Sequence, residues 1–285
     1  MPIPYKVLGV VEFANALLDV EDMEGCYVAM ARVWPWGDCP QLRAWLTANA
    51  AFDNVGVASW MSDQLIYDGP EAFWRWMRAA VRREPGGPHR WLRGTNRRHF
   101  YGAEAERVLD DWQSRHDGDP GGIARHAIEG GDRNAHSVFR RIRENRGMGP
   151  YAAFKMLDLI DAVLDVTLDF TNCADIVSDV PAKVAFAYWE SQHLPGQLSI
   201  SRSQAVQRAF DMVRAAIGPR LVPPRYKHPI TDQDIETVFC KWGHHRKGRY
   251  PVGRDTAIFY TELEPWTGSS PTAQAIRGAL PPRRS

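Results

Sequence analysis

Apolar residues recur at helical spacing through most of this chain. Val7–Val20 reads as an amphipathic helix and Gly25–Val33 as a second. Gln41–Phe52 and Ser59–Tyr67 continue the pattern, and Pro70–Arg83 carries Phe73, Trp74 and Met77 on one face. Ala103–Ser114 is a short helix and Ile123–Ala127 a helical turn. Val138–Arg146, Pro150–Val166, Asp179–His193, Ser203–Ile217 and Thr231–Trp242 follow. Thr231-Asp-Gln-Asp234 supplies an N-cap with an acidic first turn. Nothing in the pattern calls for a sheet, so the expected fold class is all-α. Four successive segments are expected: an N-terminal helical lobe over 1–137, a second lobe over 138–222, a basic segment over 223–266, and a disordered tail over 267–285. Pro219–Pro229 reads as a linker or extended arm.

Composition narrows the class. With 285 residues and 44% apolar content, the chain builds one large domain or two small lobes around a real core. A net charge of +1 means that any affinity for nucleic acid comes from local patches. Eleven tryptophans are many for this length, and serve either as core filling or as base-stacking platforms. Cys26, Cys39, Cys173 and Cys240 lie far apart, which suits a reducing compartment and has no cluster signature. Cys240 with His244 and His245 has ligand-like spacing but is half a metal site, so neither metal nor cofactor is expected. Glu12, Asn15 and Asp19 interrupt the N-terminal apolar run, which rules against a signal peptide; no stretch approaches a membrane span. The expected location is the cytoplasm, that of the host cell if the protein is viral. A Walker A motif is absent.

The strongest local signal is Arg143–Ala153, which reads Arg-Glu-Asn-Arg-Gly-Met-Gly-Pro-Tyr-Ala-Ala. A basic helix runs into Gly147-Met-Gly149, and a new helix starts at Pro150, a residue suited to the first helical position. Glycines on both sides of one apolar residue allow a sharp turn that presents backbone N–H groups. Such a helix-hairpin-helix grips a DNA phosphate without reading sequence. Arg140, Arg141, Arg143 and Arg146 supply cations beside it, and Tyr151 stands at the turn. An ordinary tight helix–helix turn is the simpler alternative. Arg82–Tyr101 is also basic. It holds Arg82, Arg83, His89, Arg90, Arg93, Arg97, Arg98 and His99 among Trp91, Phe100 and Tyr101, and is either a solvated loop or a phosphate-tracking patch.

Asp169 lies one helix and a short apolar turn beyond the glycines. In this the segment resembles the helix-hairpin-helix DNA glycosylases, whose hairpin precedes an essential Asp at about this distance. Tyr151 stands where bifunctional members carry lysine, and their four-cysteine cluster is missing. The resemblance implies a glycosylase-like helical core in two lobes and a DNA partner. A helix N-cap is the alternative role for Asp169. Asp158, Asp161, Asp165 and Asp169 fall on one helical stripe.

The second chemical block is Glu236–Asp255, where Lys241, His244, His245, Arg246, Lys247, Arg249 and Arg254 surround Trp242 and Tyr250. Cations of this density suit a phosphate or pyrophosphate leaving group. The block, with the hairpin, resembles the alpha-glutamyl/putrescinyl-thymine pyrophosphorylases, also called amino acid:DNA transferases, of phage thymine hypermodification. Cys240-Lys-Trp242 followed by Gly248-Arg-Tyr-Pro-Val-Gly-Arg-Asp255 matches a C-K-W…G-x-Y-P-x-G-x-D element. Pro35-Trp36-Gly-Asp38-Cys-Pro40 and Phe52-Asp-Asn54 match an N-terminal pair of motifs. Val55-Gly-Val-Ala58 departs from the Arg-Glu/Asp run that related base-kinase domains show after this Asn.

The resemblance implies a transferase acting on double-stranded DNA that carries phosphorylated or pyrophosphorylated 5-hydroxymethyluracil. An amino acid such as glycine, or an amine, replaces the leaving group. Lys241, Arg246, Lys247 and Arg254 would hold that group. Asp169, Asp255, His244 or His245 would take the amine proton. Trp242 and Tyr250 would form an aromatic pocket for an extruded base. Trp36, Asp38, Asn54 and Cys240 join the substrate-binding set. A DNA glycosylase using Asp169 and a non-catalytic DNA-binding module of a modification complex are the two rivals.

Overall fold

The computed structural model describes every residue except 1–5, 24, 86–90, 95, 96, 98, 194–199, 225–227 and 283–285. Among the described residues there are thirteen α-helices and no strand; an isolated β-bridge joins Leu221 and Pro229. The helices are α1 Val10–Asp19, α2 Gly25–Val33, α3 Pro40–Phe52, α4 Val55–Arg82, α5 Gly102–Arg115, α6 Gly122–Ile128 and α7 Ala135–Arg143. They continue as α8 Pro150–Ala162, α9 Asp179–Ser191, α10 Arg202–Ile217, α11 Asp232–His245, α12 Arg254–Leu263 and α13 Pro271–Ala279. The two helices expected over Ser59–Tyr67 and Pro70–Arg83 are halves of α4, which breaks at Gly69 (φ 83°) just before Pro70. Proline cannot donate the missing hydrogen bond there, so the helix axis changes course at that point.

The chain folds as two compact units: residues 1–25, 169–256 and 281–285 form one, and residues 26–168 with 257–280 form the other. This differs from the four successive segments expected. Long-range packing gathers residues that are remote in sequence, and a reading along the chain has no access to it.

The first unit is built on α1, α9, α10 and α11. Phe13 and Leu17 of α1, Phe210 and Val213 of α10, and Ile235 and Phe239 of α11 are fully buried in its core. Helix α11 starts on a capping box, in which Thr231 Oγ1 and the Asp234 carboxylate exchange hydrogen bonds with backbone N–H groups. The Pro219–Pro229 stretch carries the β-bridge, and its residues 225–227 lie outside the described set.

The second unit centres on α3 against α4, with α5 to α8, α13 and the C-terminal half of α12 around them. Its aromatic centre is a cluster of Trp60, Trp76, Trp91 and Trp266, with ring centroids 5.1–6.1 Å apart. Most tryptophans therefore fill core; Trp36, 72% exposed, is the exception among the described residues. Gly56 lets α4 approach α12 closely, since a Cβ there would lie 2.3 Å from the Glu262 carbonyl.

The segment expected to be a disordered tail is helical over Pro271–Ala279. Asp63 on α4 is buried and accepts hydrogen bonds from Ser270 Oγ at 2.6 Å and Thr272 Oγ1 at 2.5 Å, while Ala273 and Ile276 are fully buried. Its small and polar residues looked like tail because their partner, a single carboxylate, lies far back in sequence.

Candidate functional site

The block from Cys240 to Asp255 divides into a buried knot and an exposed rim. Lys241 leaves α11 inward. Its ammonium donates to the Asp22 carbonyl at 2.7 Å and to the Met23 carbonyl, and pairs with Asp255 Oδ2 at 2.8 Å. Those three partners match the three N–H donors of a lysine. Asp22 is fully buried just after α1, where the sequence reading found nothing. Its Oδ1 accepts from the N–H and hydroxyl of Thr256 at 3.0 and 2.9 Å. Its Oδ2 accepts from the Gly253 N–H at 2.8 Å and the Tyr250 hydroxyl at 3.4 Å. Burial raises the Asp22 pKa, opposed by the neighbouring Lys241 ammonium.

His245 and Trp242 belong to the same knot. His245 Nε2 accepts from the Leu8 N–H at 3.0 Å, so Nδ1 carries the proton and donates to the Tyr250 carbonyl at 2.8 Å; the ring stacks on Phe13. Trp242 Nε1 donates to the Leu8 carbonyl at 3.0 Å, and the indole, like the Tyr250 ring, is buried. Lys241, His245, Trp242 and Tyr250 thus hold the fold together. The sequence alone set Lys241 at the leaving group, His245 as a proton acceptor and Trp242 and Tyr250 against a base; all four side chains are buried. No group of metal-ligating side chains is assembled among the described residues.

The rim is chemically available. His244, Arg246, Lys247, Arg249 and Arg254 are exposed at the C-terminus of α11 and the start of α12. Arg246 lies over Trp242 at 4.5 Å and Arg254 over Tyr250 at 5.5 Å, so the buried rings position the exposed guanidinium groups. Partial burial, with the charges of Lys247, Arg254 and Arg249, lowers the His244 pKa. A neutral imidazole amid cations can accept a proton while its neighbours hold an anion. Cys240 is partly buried and forms no disulfide.

Asp169 is exposed in the first unit, and its Oδ1 accepts from the Thr171 N–H at 2.9 Å in a local turn, not at a helix N-cap. The carboxylate stripe is broken, because α8 ends at Ala162 and Asp165 adopts φ 63°. Asp158 is fully buried, accepting from the Tyr27 hydroxyl at 3.0 Å and pairing with Lys155 at 3.1 Å. Asp161 accepts from the Leu168 N–H at 2.7 Å.

In the second unit, α7 and α8 pack together across a tight turn. Met148 N–H donates to the Asn145 carbonyl at 3.1 Å, and Gly147 has φ 75°. Asn145 is buried and bonded to His116 Nε2 at 2.7 Å, which pins the turn to the end of α5. Arg140 and Arg143 are exposed. Arg146 pairs with Glu104 at 2.9 Å, and Arg141 is spent on the Ala127 and Glu129 carbonyls and Asp132. Tyr151 is 39% exposed beside Gly149, the N-cap of α8.

Asp38 makes a bidentate ion pair with Arg43 at 2.5 and 2.6 Å, and buried Asn54 caps α4 by accepting from the Val57 N–H at 3.0 Å. Within the described part of Arg82–Tyr101 several cations have protein partners. Arg93 donates to the carbonyls of Phe100, Trp91 and Ala80, Arg82 pairs with Glu106, and Phe100 stacks on Trp112. His89, Arg90 and Arg98 lie outside the described residues.

No helix among the described residues is long and apolar enough to cross a membrane. Comparison with known proteins matches residues 14–249 to the family "Amino acid:DNA transferase". A glycinyltransferase of Pseudomonas phage PaMx11 is 32% identical over 97% of this chain and 97% of its own length. A putrescinyltransferase of Delftia phage PhiW-14 is 24% identical over 67% of this chain and 59% of its own length. The family match spans both the α7–α8 turn and the α11 rim, and the glycinyltransferase aligns nearly end to end; the chain is a transferase and belongs to the amino acid:DNA transferase family.

Proposed function

We propose that this transferase attaches glycine to the exocyclic methylene of an activated 5-hydroxymethyluracil in double-stranded DNA. The observation that carries the reading is the near end-to-end similarity to a phage glycinyltransferase. DNA and an amino acid or amine are the substrates that the family implies. The activated base is a phosphate or pyrophosphate ester.

The chemistry places two demands on the protein. The methylene C–O bond breaks, and the phosphate oxygen leaves with the electron pair. Arg246, Lys247 and Arg254 on the exposed rim suit that developing charge. The glycine amine must shed a proton before its nitrogen forms the new C–N bond, and His244, whose pKa is lowered, is suited to take it. Lys241 and Asp255 act beneath, as positioning residues. Asp22, Gly253 and Thr256 complete the support that holds the rim in place. The α7–α8 turn, with exposed Arg140 and Arg143, is suited to hold a backbone phosphate while the target base leaves the stack.

The test is mass spectrometry of nucleosides after the protein meets DNA carrying phosphorylated or pyrophosphorylated 5-hydroxymethyluracil and a mixture of amino acids. A glycine-bearing thymine derivative from one of the two DNAs is expected, and identifies the leaving group. Release of free base instead would favour the glycosylase reading.

A further inference from the structure

An open pocket of about 270 Å³ lies in the second unit between the C-terminal half of α3 and the start of α8. Gly147 and Gly149 line it, so the turn suited to a backbone phosphate is also one edge of the pocket. Leu46, Met156 and Leu159 give it apolar walls, and Tyr151, 39% exposed, adds an aromatic face. Small-ligand sites run from about 300 Å³ upward, so this one suits a single ring rather than an extended molecule.

The charged groups of the pocket are engaged by the protein. Lys155 pairs with buried Asp158 at 3.1 Å, Arg97 donates to the Gly147 carbonyl at 3.3 Å, and Asp53 has a partner of its own. A charged ligand would have to displace one of these pairings; a neutral ring need not. Asn49 is different. It lines the pocket from α3, is partly exposed, and its side-chain amide has no hydrogen-bond partner among the described residues. An amide sets a donor beside an acceptor. A uracil ring carries the complement on its Watson–Crick edge, where the N3–H donates and O4 accepts. Enzymes that act on a base extrude it into such a pocket, with contacts to that edge and apolar or aromatic cover on the ring faces.

We propose that this pocket receives the target base once it has left the DNA stack, with the Asn49 amide on its N3–H and O4 edge and Tyr151 and the apolar walls against its ring. The inference rests on the transferase reading above and names the subsite of its base. It also ties the Gly147–Gly149 turn to the same nucleotide, whose phosphate the turn would hold while the pocket takes the ring.

Base extrusion is the direct test, read with the full-length protein on a duplex that carries 2-aminopurine next to one 5-hydroxymethyluracil. Saturating wild-type protein should raise the fluorescence, because the probe loses its stacking neighbour. Asn49→Leu should lose most of that rise and still unfold at the wild-type midpoint, since its amide bonds nothing among the described residues. Ala152→Leu fills the pocket from α8 without touching a charge and should lose the rise as well; it serves where Asn49→Leu does not fold. Affinity for unmodified duplex should change much less in both. In turnover, the KM for activated DNA should rise about tenfold or more in Asn49→Leu, as for the loss of a bidentate base contact. A full rise in either variant, or none with wild-type protein, would overturn the assignment. So would an equal loss of affinity for unmodified duplex, which would mark the pocket as general DNA surface. Failure of the transferase reading looks different: no amino acid appears on any activated DNA, whatever the probe reports.

Discussion

Lys241 and Asp255 face each other at 2.8 Å, with the lysine side chain 7% exposed and the aspartate 21%. The two come from α11 and α12. Their pairing closes the loop that carries the cations. Lys241→Met should therefore act on stability first. Removing one partner of a buried ion pair costs about 3–5 kcal/mol, and Asp22 would lose its compensating charge too. Denaturant unfolding should show the loss; wild-type stability with lost turnover would return Lys241 to the reacting groups.

Arg246→Met and Arg254→Met should behave in the opposite way. Both side chains are exposed, so the midpoint of unfolding should move little. Turnover on activated DNA should fall by about 10²-fold if these cations stabilise the leaving oxygen. Affinity for unmodified duplex should drop modestly and in a salt-dependent way. Equal losses in binding and in turnover would mark the rim as a DNA-binding arm.

The pH dependence follows from His244. Its pKa lies below the ordinary 6.5, through partial burial and the surrounding cations. The neutral, proton-accepting form therefore persists below pH 6.5 and is lost as pH falls through the lowered pKa. The acid limb of kcat/KM should have its midpoint below 6.5 and disappear in His244→Gln, along with most of the rate. A limb that survives the substitution assigns the proton transfer elsewhere.

The turn between α7 and α8 separates fold from DNA contact at neighbouring glycines. Gly147 has φ 75°, and a Cβ there would lie 3.0 Å from a Val108 methyl, so Gly147→Val should destabilise by about 1–3 kcal/mol. A Cβ on Gly149 meets nothing within 4 Å, so Gly149→Val should fold normally. If the turn holds a DNA phosphate, the second variant should still bind duplex more weakly, by roughly 1 kcal/mol or more. Unchanged affinity would remove the turn from the DNA interface.

Truncation after Gly268 tests the C-terminal helix. It removes the Ser270 and Thr272 hydroxyls from buried Asp63 and uncovers the surface beneath Ile276. A buried carboxylate stripped of its donors should lower the unfolding temperature by several degrees, from a loss of about 1–3 kcal/mol or more. A disordered tail could be removed without any shift.

Much of the fold was legible along the chain, because helices are local objects. Periodicity located all but the last two helices, often to within a few residues; Gly25–Val33 coincides with α2, and the Gly-Met-Gly-Pro turn joins α7 to α8 as read. The order of motifs was likewise enough to indicate the family. What each side chain does was decided elsewhere. Asp22 carried no signal, since its partners Lys241, Tyr250, Gly253 and Thr256 lie more than two hundred residues away. Residues that looked like a single cationic site differ in burial: Lys241 and His245 are buried against backbone groups, while His244 and Arg246 meet water. Asn54 caps α4 and Asp38 pairs with Arg43, partners that the motif order does not reveal. Arg97 was one arginine among many until packing shielded one of its nitrogens and set it on a cavity. Local sequence determines helices and turns through backbone preference and apolar spacing. Burial and partnership, which decide whether a charge is structural or reactive, arise only when distant segments meet.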